Sequence, residues 1–301
     1  MEDMITGLCP QCGHTLHIPA ELASFSCMYC GARLTKEQLA AEPAAQEADE
    51  DRAAYYDRAV SRLGWCIKNF GGYQKKIMRD VFFEAFETYE TGCAPVIQEL
   101  ARGVAPERQT QLLGRAAAAM LDELEAGWQK KGDMEDEKIV LAIFFVPMVR
   151  KQQLPISEEF VTILQKQWVE RYPKSPFYLG DYESISGGFR KKFLGLCFIT
   201  TAVCQELGKP DDCEELTAFR AFRDGYLRSQ PDGEALIREY YNIAPGIVTC
   251  INTCSDRHAS YARIREEYLA PCYQDLLAGR NESCKARYVR MVRDLEREYL
   301  S

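Results

Sequence analysis

Two short cysteine pairs carry the clearest chemistry in this 301-residue chain: Cys9-Pro10-Gln11-Cys12-Gly13 and Cys27-Met28-Tyr29-Cys30-Gly31. Each pair sets two thiols on a tight turn, and the glycine after the second cysteine supplies the backbone freedom such a turn needs. Fourteen residues separate the pairs, just below the usual ribbon spacing and enough for two short strands, Thr15 to Ile18 and Phe25 to Cys27, around a turn at Pro19. The expected occupant is one structural Zn²⁺ held by Cys9, Cys12, Cys27 and Cys30. Four thiolates close a tetrahedral site and leave no position for a substrate, so the metal serves folding in a segment too small to bury a core of its own. His14 and His17 lie between the pairs and read as surface positions, because the cysteines already complete the site.

Nine further cysteines are scattered through the chain, and three groupings invite a chemical reading. Cys250, Cys254 and His258 recur every four residues, which would align two thiols and an imidazole on one helix face as a second metal or thiol site. Asn252, Ser255 and Asp256 argue against it, since they suggest the helix ends before His258, and free cysteine is among the most buried residue types. Cys197, Cys204 and Cys213 lack the two-residue spacing of redox or zinc pairs. Arg220, Arg223 and Asp224 could read a phosphate or carboxylate, although ion pairing with Asp211 or Asp212 is the commoner fate of such arginines. His258 is the one histidine beyond the cysteine-rich start, so a Cys-His mechanism has a single candidate base.

The elements that must position these residues are helices. Tyr56, Val60, Leu63 and Ile67 share one stripe, and Ile77, Val81 and Phe86 another, with Gly71 and Gly72 between them. Pro106 and Glu107 open a helix with the stripe Leu113, Ala117, Met120, Leu124 and Trp128, expected to end at Lys130, Lys131 and Gly132. Ser157 is expected to cap a helix carrying Phe160, Ile163, Leu164 and Trp168. Residues 172 to 192, rich in proline and glycine, read as a long irregular connection and a subdomain boundary. Asp212 with Glu215 reads as a capping pair. Tyr261 to Leu276 and Tyr288 to Tyr299 form a closing hairpin joined near Gly279-Arg280-Asn281.

The expected organisation is therefore a zinc ribbon over 1–38 (small β, with four cysteine ligands), an acidic linker over 39–51, an N-terminal helical domain over 52–175 and a C-terminal helical domain over 176–301. The fold class is mainly α, a small ribbon linked to an all-helical multi-helix body.

Within the second helical part, Cys197-Phe198-Ile199-Thr200-Thr201-Ala202 leads through Phe219-Arg220-Ala221-Phe222-Arg223-Asp224 to Tyr240-Tyr241 and Pro245. Residues 197–246 resemble the CFI-box C-terminal domain, a bacterial family named for its Cys-Phe-Ile start, and the whole chain is similar to zinc-ribbon CFI-box proteins of Firmicutes. The resemblance implies a bacterial protein and brings no mechanism with it. The chain departs from the family pattern at Thr200, where alanine is common, at the added Cys204, and in more than fifty residues beyond the Tyr-Tyr…Pro segment.

Charge and hydropathy exclude some functions. The net charge of −8 opposes binding to a phosphate backbone, and residues 1 to 42 carry only Arg33 and Lys36 against Glu2, Asp3, Glu21, Glu37 and Glu42. A protein partner is thus expected for the ribbon and nucleic acid is not, the remaining basic clusters being Lys75, Lys76 and Arg79, and Arg190, Lys191 and Lys192. The apolar runs 139–149 and 193–204 fall short of the ~20 residues a bilayer span needs. Met1-Glu2-Asp3-Met4 lacks the basic and apolar run of a signal peptide, which with the unpaired cysteines points to the cytoplasm. The expected role is non-enzymatic, a protein-interaction or scaffold protein. The alternative is a thiol- or second-metal-dependent enzyme built on Cys197, Cys204 and Cys213 or on Cys250, Cys254 and His258. The sequence leaves the oligomeric state open.

Overall fold

The structure, a computed structural model, describes residues 4–11, 14–39, 43–190 and 197–300. The chain forms two compact units, Met1–Tyr55 and Tyr56–Ser301.

In the first unit, strand Met4–Leu8 pairs antiparallel with Thr15–Pro19, placing Ile5 opposite Ile18, and Ser24–Ser26 pairs with Arg33–Thr35, placing Phe25 opposite Leu34. The strands on either side of the turn after Pro19 thus pair outward, each with its own partner, so Cys9 follows the first strand of one hairpin and Cys27 and Cys30 lie in the turn of the other. Alternation along Thr15–Pro19 turns Leu16 and Ile18 inward and His17 outward. The buried centre is Cys9, Leu16, Cys27 and Leu34, with Phe25, Ala32 and Leu39 packed on it. Half of that centre is cysteine, so hydrophobic burial alone gives this unit little to fold on. Helix Pro43–Leu63 starts inside the acidic 39–51 stretch, with proline at its first position, where the missing N–H has no helical partner to lose.

In the second unit helices share one core, and residues before and after 175 contribute to it together. Phe82 stacks on Phe189 with ring centres 4.3 Å apart, Tyr178 N donates to Thr253 O at 2.8 Å, and Arg79 Nε donates to Phe189 O at 2.9 Å. Helix Gly233–Cys254 packs against Phe198–Glu206, Tyr182–Arg190, Asn281–Tyr299 and the wide π-helical turn Leu141–Phe145. Gly246 is the point of closest approach: a Cβ there would stand 1.9 Å from the Ile77 carbonyl oxygen. No helix among the described residues is long and apolar enough to cross a membrane.

The stripe Leu113, Ala117, Met120 and Leu124 is buried as its period predicts, but its helix, Gln109–Gly127, stops at Trp128, and Lys131 opens the next one, Lys131–Val140. Asp133 moves that boundary by accepting hydrogen bonds from the Gln129 and Lys130 amides at 2.8 and 2.9 Å. Ser157 is the first residue of helix Ser157–Arg171 and accepts from the Leu154 amide instead of capping the helix end. The connection expected over 172–192 contains a helix, Tyr182–Arg190, which Asp181 opens by accepting from the Ser184 amide; its glycines are outweighed by burial of Ile185, Ser186 and Phe189. At the next helix, Glu214–Phe222, Cys213 and not Asp212 occupies the cap position.

Candidate metal centre and the cysteine-bearing pockets

The three described sulfurs of the ribbon, on Cys9, Cys27 and Cys30, lie within 4.8 Å of one another, and the Cys9 and Cys30 sulfurs are 3.7 Å apart. A tetrahedron of Zn–S bonds has sulfur–sulfur edges of about 3.8 Å, so this spacing suits such an ion. Both turns hold their leading cysteine in the same way: the Cys9 amide donates to His14 O at 3.0 Å and the Cys27 amide to Ala32 O at 2.8 Å. Gly31 takes φ +76°, a conformation that a side chain would strain. Cys9 and Cys27 are buried and Cys30 is exposed. Cys12, expected as the fourth ligand, lies outside the described residues. His14 does not join the cluster; its ring stacks on Tyr29 at 4.3 Å. The next residue back, Met28, is 80% exposed, and Tyr29 is 57% exposed. Among the described residues no other group of His, Cys, Asp or Glu side chains converges into a potential metal site.

In the helical unit, the residues that carry the Cys-Phe-Ile resemblance come together. Arg223 reaches Cys197 Sγ at 3.5 Å and donates to Tyr241 Oη at 2.9 Å with the same nitrogen, while its other two nitrogens hold Asp224 at 2.8 and 2.7 Å. The Ile199 amide donates to Tyr240 Oη at 3.0 Å, and the Phe198 and Tyr241 rings meet edge to face. Arg223 opens a π-helical turn, Arg223–Leu227, whose extra residue departs from the regular helical stripe. Beside this cluster lies a cavity of about 60 Å³ walled by Cys197, Phe219, Phe222, Tyr240 and Tyr288. Arg220 grips Asp211 with both carboxylate contacts, at 2.8 and 2.9 Å, and its carbonyl at 2.7 Å. Both guanidinium groups are thereby engaged by the protein itself.

Four buried cysteines of this unit, Cys197, Cys204, Cys250 and Cys254, are held against ionisation. Burial raises the Cys197 thiol despite the pull of Arg223, and burial followed by contact with Cys213 pushes Cys204 up to about 12. Burial raises Cys250 well above its ordinary value and pushes Cys254 up to about 11. A thiol nucleophile needs the opposite shift.

Helix Gly233–Cys254 ends at Ser255, as Asn252 and Asp256 suggest, and Asp256 caps the following helix, Arg257–Ile264. His258 therefore leaves the face carrying Cys250 and Cys254. Its Nδ1 meets the Glu206 carboxylate, which Arg257 also holds at 3.0 Å. Cys250 instead points at Tyr299 O, 3.6 Å away, and Cys254 at the Thr253 hydroxyl, 3.4 Å away.

One constellation escapes any reading of the sequence. Lys138, with its side chain 4% exposed, donates to Ser175 Oγ at 2.8 Å and pairs with Glu135, to which Ser175 Oγ also donates at 2.5 Å. Glu135 and Lys138 are an ordinary i, i+3 pair in the sequence, and nothing local shows that a serine 37 positions on closes the triangle. Of the basic clusters, Lys75 and Lys76 are exposed, Arg79 lies over the Phe198 ring at 5.5 Å, and Arg190 pairs with Glu183 at 3.1 Å. Lys191 and Lys192 lie outside the described residues. In comparisons with known proteins, no family model, no curated protein and no solved structure matches this chain.

Proposed function

We propose that this is a zinc-binding, non-enzymatic cytoplasmic protein that docks a protein partner through its ribbon, with the helical unit as the frame that carries it. The ion is Zn²⁺, held by Cys9, Cys27, Cys30 and Cys12. The observation that carries the docking role is the exposed pair Met28 and Tyr29 at the tip of the second cysteine turn. Met28 and Tyr29 stay largely exposed on this turn even though one face of the Tyr29 ring stacks on His14, and such exposure marks an interaction site. The ribbon's excess of acidic residues suits a partner whose apolar hollow has a basic rim. The raised thiols of the helical unit support a role without nucleophilic chemistry. The resemblance of residues 197–246 to the CFI-box domain belongs to the same proposal, supported by the meeting of Cys197, Arg223, Tyr240 and Tyr241 around one cluster.

The test combines elemental mass spectrometry with a photo-crosslinking residue at position 28. One zinc per chain, and a discrete crosslinked protein that disappears in Tyr29→Asp at unchanged zinc content, are the expected results. Absence of zinc would remove the first half of the proposal. A salt-dependent shift of DNA or RNA that depends on the ribbon would replace the second half.

A further inference from the structure

Cysteines that look scattered along the chain are paired in space. Cys93 Sγ points at the Cys66 carbonyl and Cys272 Sγ at the Cys284 carbonyl, each 3.9 Å away, and the Cys204 and Cys213 sulfurs meet each other directly. Four of these six are completely buried, at 0% exposure, so no solute reaches them in the folded protein. Cys204 and Cys213 differ. Cys213 is only partly buried at the start of helix Glu214–Phe222, and Cys204 lies directly behind it, 2% exposed, in the last turn of Phe198–Glu206.

The backbone between them is already folded back. The Lys209 amide donates to Cys204 O at 2.9 Å and the Cys213 amide to Pro210 O at 3.1 Å, with Gly208 at φ +67° making the reversal. The two sulfurs are 3.8 Å apart. Closing that gap to a bond of about 2.05 Å takes a movement of under about 2 Å, within reach of side-chain rotation. A void of about 10 Å³ beside Cys204, walled by Val203, Phe219 and Leu269, gives its side chain room to turn.

We infer that Cys204 and Cys213 are a dithiol that is oxidised to an intramolecular disulfide by small disulfides of the glutathione type. Cys213, the accessible partner, loses its proton to solvent and its sulfur attacks the small disulfide RSSR, giving a mixed disulfide and one thiolate RS⁻. Cys204 then gives up its proton, and its sulfur attacks the Cys213 sulfur and expels the second RS⁻. Two protein thiols are oxidised to one disulfide, RSSR is reduced to two RSH, and the two protons released by the cysteines end on the two leaving thiolates. The pair of sulfurs held in contact makes the second step intramolecular, which offsets the low ionised fraction of a buried thiol. The product ties the end of Phe198–Glu206 to the start of Glu214–Phe222, the helix that supplies Phe219 and Phe222 to the cavity beside Cys197.

The test uses the full, zinc-loaded chain, first reduced and then incubated with oxidised glutathione, quenched with acid, alkylated and digested for mass spectrometry. The expected result is a 204–213 linked peptide, with free thiol at these two positions lost at least about tenfold faster than at Cys66 and Cys93, whose burial protects them. In Cys204→Ser the reaction should stop at a glutathione adduct on Cys213 that the native chain does not accumulate. Cys213→Ser should leave Cys204 unmodified, and because it alters the less buried partner it keeps the fold even where the buried substitution disturbs it. Recovery of two free thiols, of two separate adducts on the native chain, or of a link from Cys213 to a different cysteine would overturn the inference.

Discussion

The two units of this chain use cysteine in opposite ways. In the ribbon, Cys9 and Cys27 make up half of a four-residue centre, and their sulfurs face one another across the span of a metal ion. In the helical unit most cysteines are buried in the same core as Trp168, Tyr89, Phe82, Phe86 and Phe144, all essentially inaccessible, and act as small apolar side chains, with burial raising the Cys250 thiol. The same side chain is placed to ligate a metal where almost no core exists and is packing material where one does. What separates the cases is the apolar area available for burial: the unit Met1–Tyr55 supplies little of it, whereas the far longer unit Tyr56–Ser301 supplies enough.

Metal removal gives the largest effect by which that comparison can be broken. Chelation, or Cys27→Ser, should unfold the ribbon outright, since a structural zinc contributes on the order of 10–16 kcal/mol to such modules. Hydrogen exchange should then rise through residues 4–35 while the protected amides of Gly233–Cys254 stay unchanged. Loss of protection in both units would mean that the ion also stabilises the helices. Next in size, Trp168→Ala should cost the helical unit about 3–5 kcal/mol in urea denaturation, because it empties a fully buried site and removes the 2.7 Å bond from Trp168 Nε1 to Ser175 O. Zinc content should not change, and a fall in it would show that the units depend on each other.

The smallest expected effect concerns the Arg223–Asp224 pair. The hydrogen bonds from Arg223 hold the Asp224 carboxyl below its ordinary range. A carboxyl depressed on folding adds stability above its unfolded pKa and loses it as pH falls through the folded value. Asp224→Asn should therefore cost about 1 kcal/mol near neutrality, a figure discounted because Asp224 is about half exposed, and its deficit should vanish below the folded pKa. Urea midpoints across pH, compared between the two proteins, measure this. Equal midpoints at neutral pH would make the pair a surface detail with no role in holding the cluster around Cys197.

Legibility in the sequence follows the distance over which each feature is built. The paired cysteines, the stripes Leu113 to Leu124 and Tyr288 to Tyr299, and the break before His258 are local, set by spacing and by residues a turn apart. Helix Tyr182–Arg190 was hidden by Gly187 and Gly188, whose poor helix propensity is overridden once Phe189 stacks on Phe82. The outward pairing of the ribbon strands was equally hidden, because a three-residue strand shows too little alternation to name its partner.

By itself, the sequence determined the metal-binding spacing, the helical character of most of the chain and its acidic balance, since each depends only on neighbouring residues or on totals. Only the tertiary structure decided which cysteines meet. Cys204 and Cys213 are nine positions apart, Cys197 and Arg223 are 26 apart, and Lys138 and Ser175 are 37 apart. Such contacts are chosen by how whole helices pack around one core, and no local pattern encodes that choice.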